Sequence, residues 1–189
     1  MERETPWASL AIVDFHRVHE TMTNFLGERG FPSLVCGAFA LQAYGLSRAT
    51  QDLDFVVPVE AQEALVAFLE GQGYETLHRS PAFSNHLHAD PVRGRVDFVY
   101  VSGATSRLVF QHARSHSSPS GLIVRVPSPE HLVAMKVLAM KNDPGRTFRE
   151  MADLQFLLGV PGIDEEEVRL HFERQGLGER YLELKRLSG

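Results

Sequence analysis

The chain has 189 residues, of which 43% are hydrophobic, and 19 basic residues against 24 acidic ones give a formal net charge of -5. This length can bury one core, so we predict one compact domain, with or without a helical appendage. The mildly acidic total gives no general signal for a nucleic-acid or membrane surface, but it leaves room for a local basic cleft. The single cysteine, Cys36, and the absence of a long apolar run lead us to expect a soluble cytoplasmic protein without a membrane partner.

Hydrophobic periodicity and turn residues predict the elements of the first two thirds of the chain. A short apolar strand turns directly into a short helix at Gly37. The predicted elements are, in chain order, a helix over 8–28, a strand over 33–37, a helix over 38–45, a strand ending at residue 57, a helix over 60–70, strands over 83–89 and 95–101, a loop over 112–121 and a strand over 122–126.

The chain after residue 127 is predicted to be helical. Ser128 is a favourable N-cap for an apolar helix, and two capping-box spacings mark later helix starts, Thr147 with Glu150 and Asp164 with Glu167. The last helices are predicted over 165–175 and 178–187. We therefore predict an α+β fold, with a small mixed β-sheet flanked by helices over 1–127 and a helical C-terminal region over 128–189 that packs on it.

The stretch RATQDLDFVV, residues 48–57, places two acids at the entrance of an apolar strand. Residues two apart on a strand share a face with Cα atoms about 6.5 Å apart, so Asp52 and Asp54 can reach one cation. Asp97 lies in another apolar strand, RVDFVYV, and can join them from a neighbouring position. A structural alternative stays open, in which Asp52 is a turn residue, Asp54 pairs with Arg48, and Asp97 is solvated on an edge strand.

Three clustered carboxylates repel one another, and divalent cations relieve that repulsion. Hard oxygen ligands in this number suit Mg²⁺ or Mn²⁺, so Asp52, Asp54 and Asp97 are the predicted metal ligands. His86, His88 and Asp90 alternate along another predicted strand. They are interpreted as a second metal site or, more simply, as ordinary hairpin residues.

The segment VCGAFALQAYGLSRATQDLDFVV resembles the nucleotidyltransferase superfamily with the DNA polymerase β-type catalytic fold, in its small AbiEii-like branch. The resemblance implies that the backbone amides of Gly37 and Ala38 hold a triphosphate, while the three acids bind two metal ions. Arg48 and Thr50, just ahead of the acids, are added as nucleotide-binding candidates. Ala38 departs from the Gly or Ser usual in the family, which leaves loss of activity open.

A second, weaker resemblance lies in the helical half. The segments PSPEHLVAMKVLAMK and REMADLQFLL are similar to AbiEii-like helices that carry a lysine and an acid, which implies roles for Lys136 and Asp153 at the nucleotide. Lys136 is taken as both a catalytic and a nucleotide-binding candidate. The structural alternatives are a lysine that only extends to solvent, and a surface ion pair between Asp153 and Arg149.

The resemblance implies an enzyme that moves a nucleoside monophosphate from an NTP to an acceptor hydroxyl and releases pyrophosphate. It suggests an RNA or tRNA end, a small hydroxylated molecule or a protein as acceptor, in a toxin-type role with an antitoxin-type protein partner. The alternative is a catalytically silent nucleotide- or partner-binding protein that retains the fold. A structural oligomer without a ligand is a third hypothesis.

Overall fold

The computed structural model describes residues 13–117 and 121–187. It contains eight α-helices in the described ranges: α1 Phe15–Gly27, α2 Gly37–Ala43, α3 Gln62–Gly71, α4 Gly103–Gln111, α5 Pro129–Asn142, α6 Thr147–Leu158, α7 Glu165–Arg174 and α8 Gly178–Leu187. The strands described there are β1 Leu34–Val35, β2 Asp52–Pro58, β3 Tyr74–Arg79, β4 Phe83–His88, β5 Arg95–Val101, β6 Arg114–Ser117 and β7 Ile123–Val126. Within the described ranges, no helix is both long and apolar enough to cross a lipid bilayer.

The chain forms two compact units. Within the described residues, the first unit consists of 13–33 and 50–101, and the second consists of 34–49, 102–117 and 121–187. The predicted boundary at residue 127 stays a prediction.

The first unit is built on strands in the order β2, β5, β4, β3. β2 runs parallel to β5, whereas β4 is antiparallel to both β5 and β3, so the sheet is mixed. The parallel pairing places Asp54 directly opposite Asp97, and Asp52 opposite Arg95. Because β5 has a hydrogen-bonded neighbour on each side, Asp97 lies on an inner strand and the edge-strand alternative is wrong.

Alternation along the strands gives this sheet one buried face. Leu53 and Phe55 of β2 are buried, and the rings of Phe55 and Phe98 stack at 5.4 Å. Helix α1, capped by Asp14, packs beside α3 through stacked Phe25 and Phe68 rings, 3.9 Å between centroids. Since Asp52, Asp54 and Asp97 occupy the alternate positions, burying the apolar side chains turns the three acids to the other face.

The second unit is mainly helical. Helix α5 contacts both α6 and α7, and its buried apolar residues are Leu132, Val133, Val137 and Met140. Ser128 caps α5 and Asp164 caps α7 through side-chain bonds to backbone amides, as the cap residues predict. The two-stranded β6–β7 hairpin also belongs to this unit, and β7 contacts β1.

The predicted fold class, α+β with a small mixed sheet and flanking helices, is confirmed. Part of the predicted helix over 8–28 lies outside the described residues, and the described helix begins at Phe15. The predicted loop over 112–121 is wrong where β6 forms, because the polar segment RSHS pairs with β7 through its backbone. Strand β3 and helix α4 have no counterpart in the predicted elements.

The predicted capping box at Thr147 is also wrong. Thr147 is already inside α6, and its hydroxyl donates to the carbonyl of Pro144 at 2.7 Å. Glu150, which would complete such a box, instead receives hydrogen bonds from Lys136 and Arg146. The ion pairs available in the folded protein therefore override the local spacing.

Candidate active site

Three carboxylates meet on the open face of the sheet in the first unit. One oxygen from each of Asp52, Asp54 and Asp97 lies within 4.8 Å of the others, and all three side chains are partly exposed. Among the described residues, this is the one group of three or more His, Cys, Asp or Glu side chains with such spacing. Carboxylate oxygens in this number fit the ligand preference of Mg²⁺ and Mn²⁺. The arrangement can therefore hold a divalent cation that solvent can reach.

Two side chains of the same unit contact this cluster. The Thr50 hydroxyl donates to a carboxylate oxygen of Asp52 and, at 3.1 Å, to its carbonyl, which orients the first acid. Arg95 Nε donates to both oxygens of Asp97, at 2.9 and 3.1 Å. The hydrogen bond to Asp97 raises the pKa of Arg95, and the charges of Asp52 and Asp54 act in the same direction. A permanent cation therefore lies among the three acids.

Gly37 and Ala38 open α2 in the second unit. Gly37 has a φ of 60°, a conformation that residues with a side chain rarely adopt, so glycine is required for the strand to turn directly into the helix. Ala38 is buried with 5% exposure. The first amides of a helix have no partner within that helix and point towards its N-terminal end. This geometry agrees with the predicted junction, while phosphate binding there stays a prediction.

Lys136 lies in a buried ion cluster of the second unit. Its Nζ donates to Glu150 Oε2 at 3.0 Å and to Asp153 Oδ2 at 2.6 Å, and both acids are almost fully buried. Arg48 contacts the same Asp153 oxygen at 2.6 Å, and Arg146 contacts Glu150 at 2.7 Å. Three cationic side chains thus face two carboxylates, which leaves one positive charge in excess. Such a cluster can attract an anion such as a phosphate group.

The candidates fall into two groups. Asp52, Asp54, Asp97 and Thr50 come together in the first unit, and Arg48, Lys136 and Asp153 come together in the second. Arg48 pairs with Asp153, and Asp153 is buried, so the surface-pair interpretation of Asp153 is wrong.

Sequence reasoning missed two residues. Arg95 lies two positions before Asp97, and strand alternation alone would have placed both on one face. Glu150 lies three positions before Asp153, a spacing that puts both acids on one side of α6.

The predicted hairpin histidines do not form a metal site in the part of the chain that is described. His86 is fully buried, and its ring nitrogens contact Ser84 Oγ at 2.8 Å and Thr76 Oγ1 at 3.2 Å. His88 Nδ1 accepts from the Asp90 amide at 2.8 Å, which is a turn contact. The structural interpretation of these residues therefore holds.

Comparison with known proteins identifies the chain's relatives. The family model for the nucleotidyl transferase AbiEii toxin of type IV toxin–antitoxin systems matches residues 31–186. None of the curated proteins matches the chain significantly. The solution structure of the antibiotic-resistance factor ANT(2'')-Ia is similar over 90% of this chain and 94% of its own, with a TM-score of 0.61 and 17% identity.

Two further solved structures share the fold. ANT(2'')-Ia in complex with adenylyl-2''-tobramycin has a TM-score of 0.58 and 17% identity, over 88% of this chain and 99% of that one. The lincosamide antibiotic adenylyltransferase LnuA, bound to lincomycin, has a TM-score of 0.52 and 14% identity, over 78% and 98%. At these identities the likeness establishes the fold, whereas the family match spans most of the chain. The chain therefore belongs to the AbiEii nucleotidyltransferase family, and it is an enzyme of the nucleotidyltransferase class.

Proposed function

We propose that the protein transfers a nucleoside monophosphate from an NTP to an acceptor hydroxyl, with Mg²⁺ or Mn²⁺ bound by Asp52, Asp54 and Asp97. The observation that carries the proposal is the meeting of these three carboxylates, with one oxygen of each within 4.8 Å of the others. Bound divalent ions would supply charge neutralisation for the triphosphate and would lower the pKa of the acceptor hydroxyl.

We assign a role to each of the three acids, and their positions on the strands support this assignment. Asp52 and Asp54, two residues apart on β2, would hold a divalent ion, whose charge would neutralise part of the triphosphate. Thr50 keeps the Asp52 carboxylate in place. Asp97, on the neighbouring strand β5, completes the ligand set and accepts the proton of the acceptor hydroxyl. Each acid contributes charge that the transition state requires, so losing one should cost several kcal/mol of transition-state stabilisation.

The proposed phosphate contacts are the start of helix α2 and the ion cluster around Lys136. The amides of Gly37 and Ala38 steady the β- and γ-phosphates, as the resemblance implies. Lys136 has three N–H donors, of which Glu150 and Asp153 receive one each, so a phosphate oxygen can take the third. Asp153 orients Lys136, and Arg48 adds a second charge at the same acid. The single excess positive charge of this cluster favours an anionic ligand.

The acceptor is proposed from the relatives. The toxin description of the family supports an antitoxin-type protein partner. The resemblance given by the sequence segments suggests an RNA end, such as a tRNA 3′ terminus, as one acceptor. The fold shared with the antibiotic adenylyltransferases supports a small hydroxylated molecule. A protein hydroxyl is the third class. These acceptors differ in size, so one labelling experiment can separate them.

The test is incubation of the full chain with each α-labelled NTP and Mg²⁺, with total RNA, with a panel of hydroxylated antibiotics, or with the protein alone. We expect label to move to one acceptor class with release of pyrophosphate. The Asp52→Asn/Asp54→Asn double variant should lose at least about a thousandfold in rate, because several kcal/mol of stabilisation are removed. Transfer that persists in the double variant would refute the proposed site.

The silent-binder alternative rests on Ala38, which replaces the Gly or Ser usual at this position. Its outcome is distinct: metal-dependent NTP binding by the wild-type protein without release of pyrophosphate for any acceptor. Substituting Ala38→Ser then offers a direct check, since a restored hydroxyl would be expected to revive transfer if this residue alone silences the enzyme.

A further inference from the structure

Arg95 makes the closest cation contact within the acidic cluster. A single N–H group of its guanidinium, Nε, points between the two oxygens of Asp97, at 2.9 and 3.1 Å. That direction is also the approach of a metal ion that binds both oxygens of a carboxylate. Arg95 therefore occupies the place beside Asp97 where a metal ion would contact both carboxylate oxygens.

The surroundings of Arg95 make this contact reversible. Its side chain is 42% exposed, whereas that of Asp97 is 16% exposed, so the guanidinium can move towards solvent while the acid stays in place. In the parallel pairing of β2 with β5, Arg95 lies opposite Asp52, and it is on the same face of the sheet as Asp97. Arg95 thus pairs directly with Asp97 and lies within electrostatic reach of Asp52 and Asp54.

We propose that Arg95 is the internal counter-ion of the acidic cluster and competes with a divalent cation for Asp97. This inference rests on the proposed metal site. Three carboxylates without a cation would repel one another, and Arg95 offsets that repulsion in the metal-free protein. A divalent cation at Asp97 would repel the guanidinium, which must then leave the carboxylate.

Displacement of Arg95 by a metal ion would also affect nucleotide binding. Once displaced, the guanidinium has five N–H donors and suits phosphate oxygens, which accept bidentate contacts. A bound triphosphate would therefore provide the partner that metal binding removes. Arg95 in this way favours binding of metal together with nucleotide over binding of metal alone, and acts as a positioning residue.

The test is calorimetric titration of the full chain with Mn²⁺ in the absence of nucleotide. We expect Arg95→Gln to bind Mn²⁺ about 5- to 50-fold more tightly than wild type, a range typical of coupled sites. Arg95→Lys, which keeps the charge without the planar fork, should lie between them. Arg93→Gln, in the turn before β5, is the matched control and should bind as wild type does.

The outcomes separate this inference from the proposed function. Unchanged or weaker Mn²⁺ binding by Arg95→Gln would overturn the competition while leaving the metal site intact. Tighter binding that Asp54→Asn abolishes supports the inference, even if no nucleotide transfer is ever detected. Absence of Mn²⁺ binding in every variant would overturn both. If Arg95→Gln fails to fold, Arg95→Lys provides the test. An Mn²⁺ affinity equal to that of wild type in this variant would contradict competition between the guanidinium and the cation for Asp97.

Discussion

Lys136 is a charged side chain buried on a mainly apolar helix. The helix around it is apolar on several sides, and the residue itself is only 9% exposed. An isolated ammonium at that depth would be unfavourable by several kcal/mol. The two carboxylates of Glu150 and Asp153 make the position tolerable, at 3.0 and 2.6 Å from Nζ. The charge that we propose for phosphate binding is thus first a requirement of the folded unit.

Replacing Lys136→Met should lower the free energy of unfolding by about 3 kcal/mol, because two buried carboxylates lose their shared cation. Arg48 and Arg146 remain beside these acids and limit the loss. Urea denaturation at neutral pH measures the change. Lys141→Met, at an exposed position of the same helix, is the matched control. Equal stability of the two variants would contradict a structural role for the buried ion cluster.

At the scale of elements, a buried polar chain links three strands of the first unit. His86 of β4 contacts Thr76 of β3, and through Ser84 it reaches the hydroxyl of Tyr100 on β5, with Ser84 Oγ and Tyr100 at 2.6 Å. Burial lowers the pKa of His86 below its ordinary value of 6.5. The strands are therefore joined by a neutral imidazole that exchanges hydrogen bonds with two hydroxyl groups.

The buried hydrogen-bonded His86 leads us to predict that the protein loses stability in acid. Because the pKa of His86 is lower in the folded state than in the unfolded state, the unfolded chain binds more protons below about pH 6.5, and stability falls as the pH falls. His86→Leu should reduce this pH dependence by up to about 1.4 kcal/mol per pH unit.

The measurement is the free energy of unfolding near pH 7 and near pH 5.5 for wild type and variant. Ser84 keeps Tyr100 and Thr76 keeps Glu70 as partners, so the variant should fold. Burial also lowers the pKa of His19, His131 and His171, which leaves part of the slope in the variant. Identical slopes for the two proteins would rule His86 out as a source.

At the scale of the whole molecule, the acidic cluster lowers the stability of the metal-free protein, although the proposed function requires it. Three carboxylates on one face of the sheet repel one another, and Arg95 offsets only part of that repulsion. A protein selected for stability alone would not need this arrangement, whereas a metal-dependent enzyme does.

Asp54→Asn should therefore stabilise the metal-free protein by about 0.5 to 1 kcal/mol while removing most of its stabilisation by metal. Wild type should gain about 2.7 kcal/mol at a Mg²⁺ concentration 100 times the dissociation constant. Thermal unfolding in EDTA and in MgCl₂ gives both values. Glu75→Gln, at an exposed position of β3, controls for loss of one negative charge and should keep the response to metal. A metal response retained by Asp54→Asn would argue against the site.

Long periodic elements could be predicted because their pattern repeats within a few residues. Strands β2, β4 and β5 and helices α5, α7 and α8 follow from alternation, apolar runs and caps such as Ser128 and Asp164. Strand β6 could not, since the polar segment RSHS carries no alternating signal and gains its hydrogen bonds from β7. The capping box at Thr147 also depended on a distant contact, because Glu150 pairs with Lys136 instead of capping the helix.

By itself, the sequence determined the fold class, the family resemblance and the three acids, because strand alternation puts Asp52 and Asp54 on one face whatever lies around them. Only the tertiary structure decided their partners. The pairing of β2 with β5 brings Asp97 opposite Asp54 and places Arg95 among the acids, and Arg48 meets Asp153 across 105 positions of the chain. Side-chain partners that are distant in sequence depend on strand register and helix packing, which local periodicity does not specify.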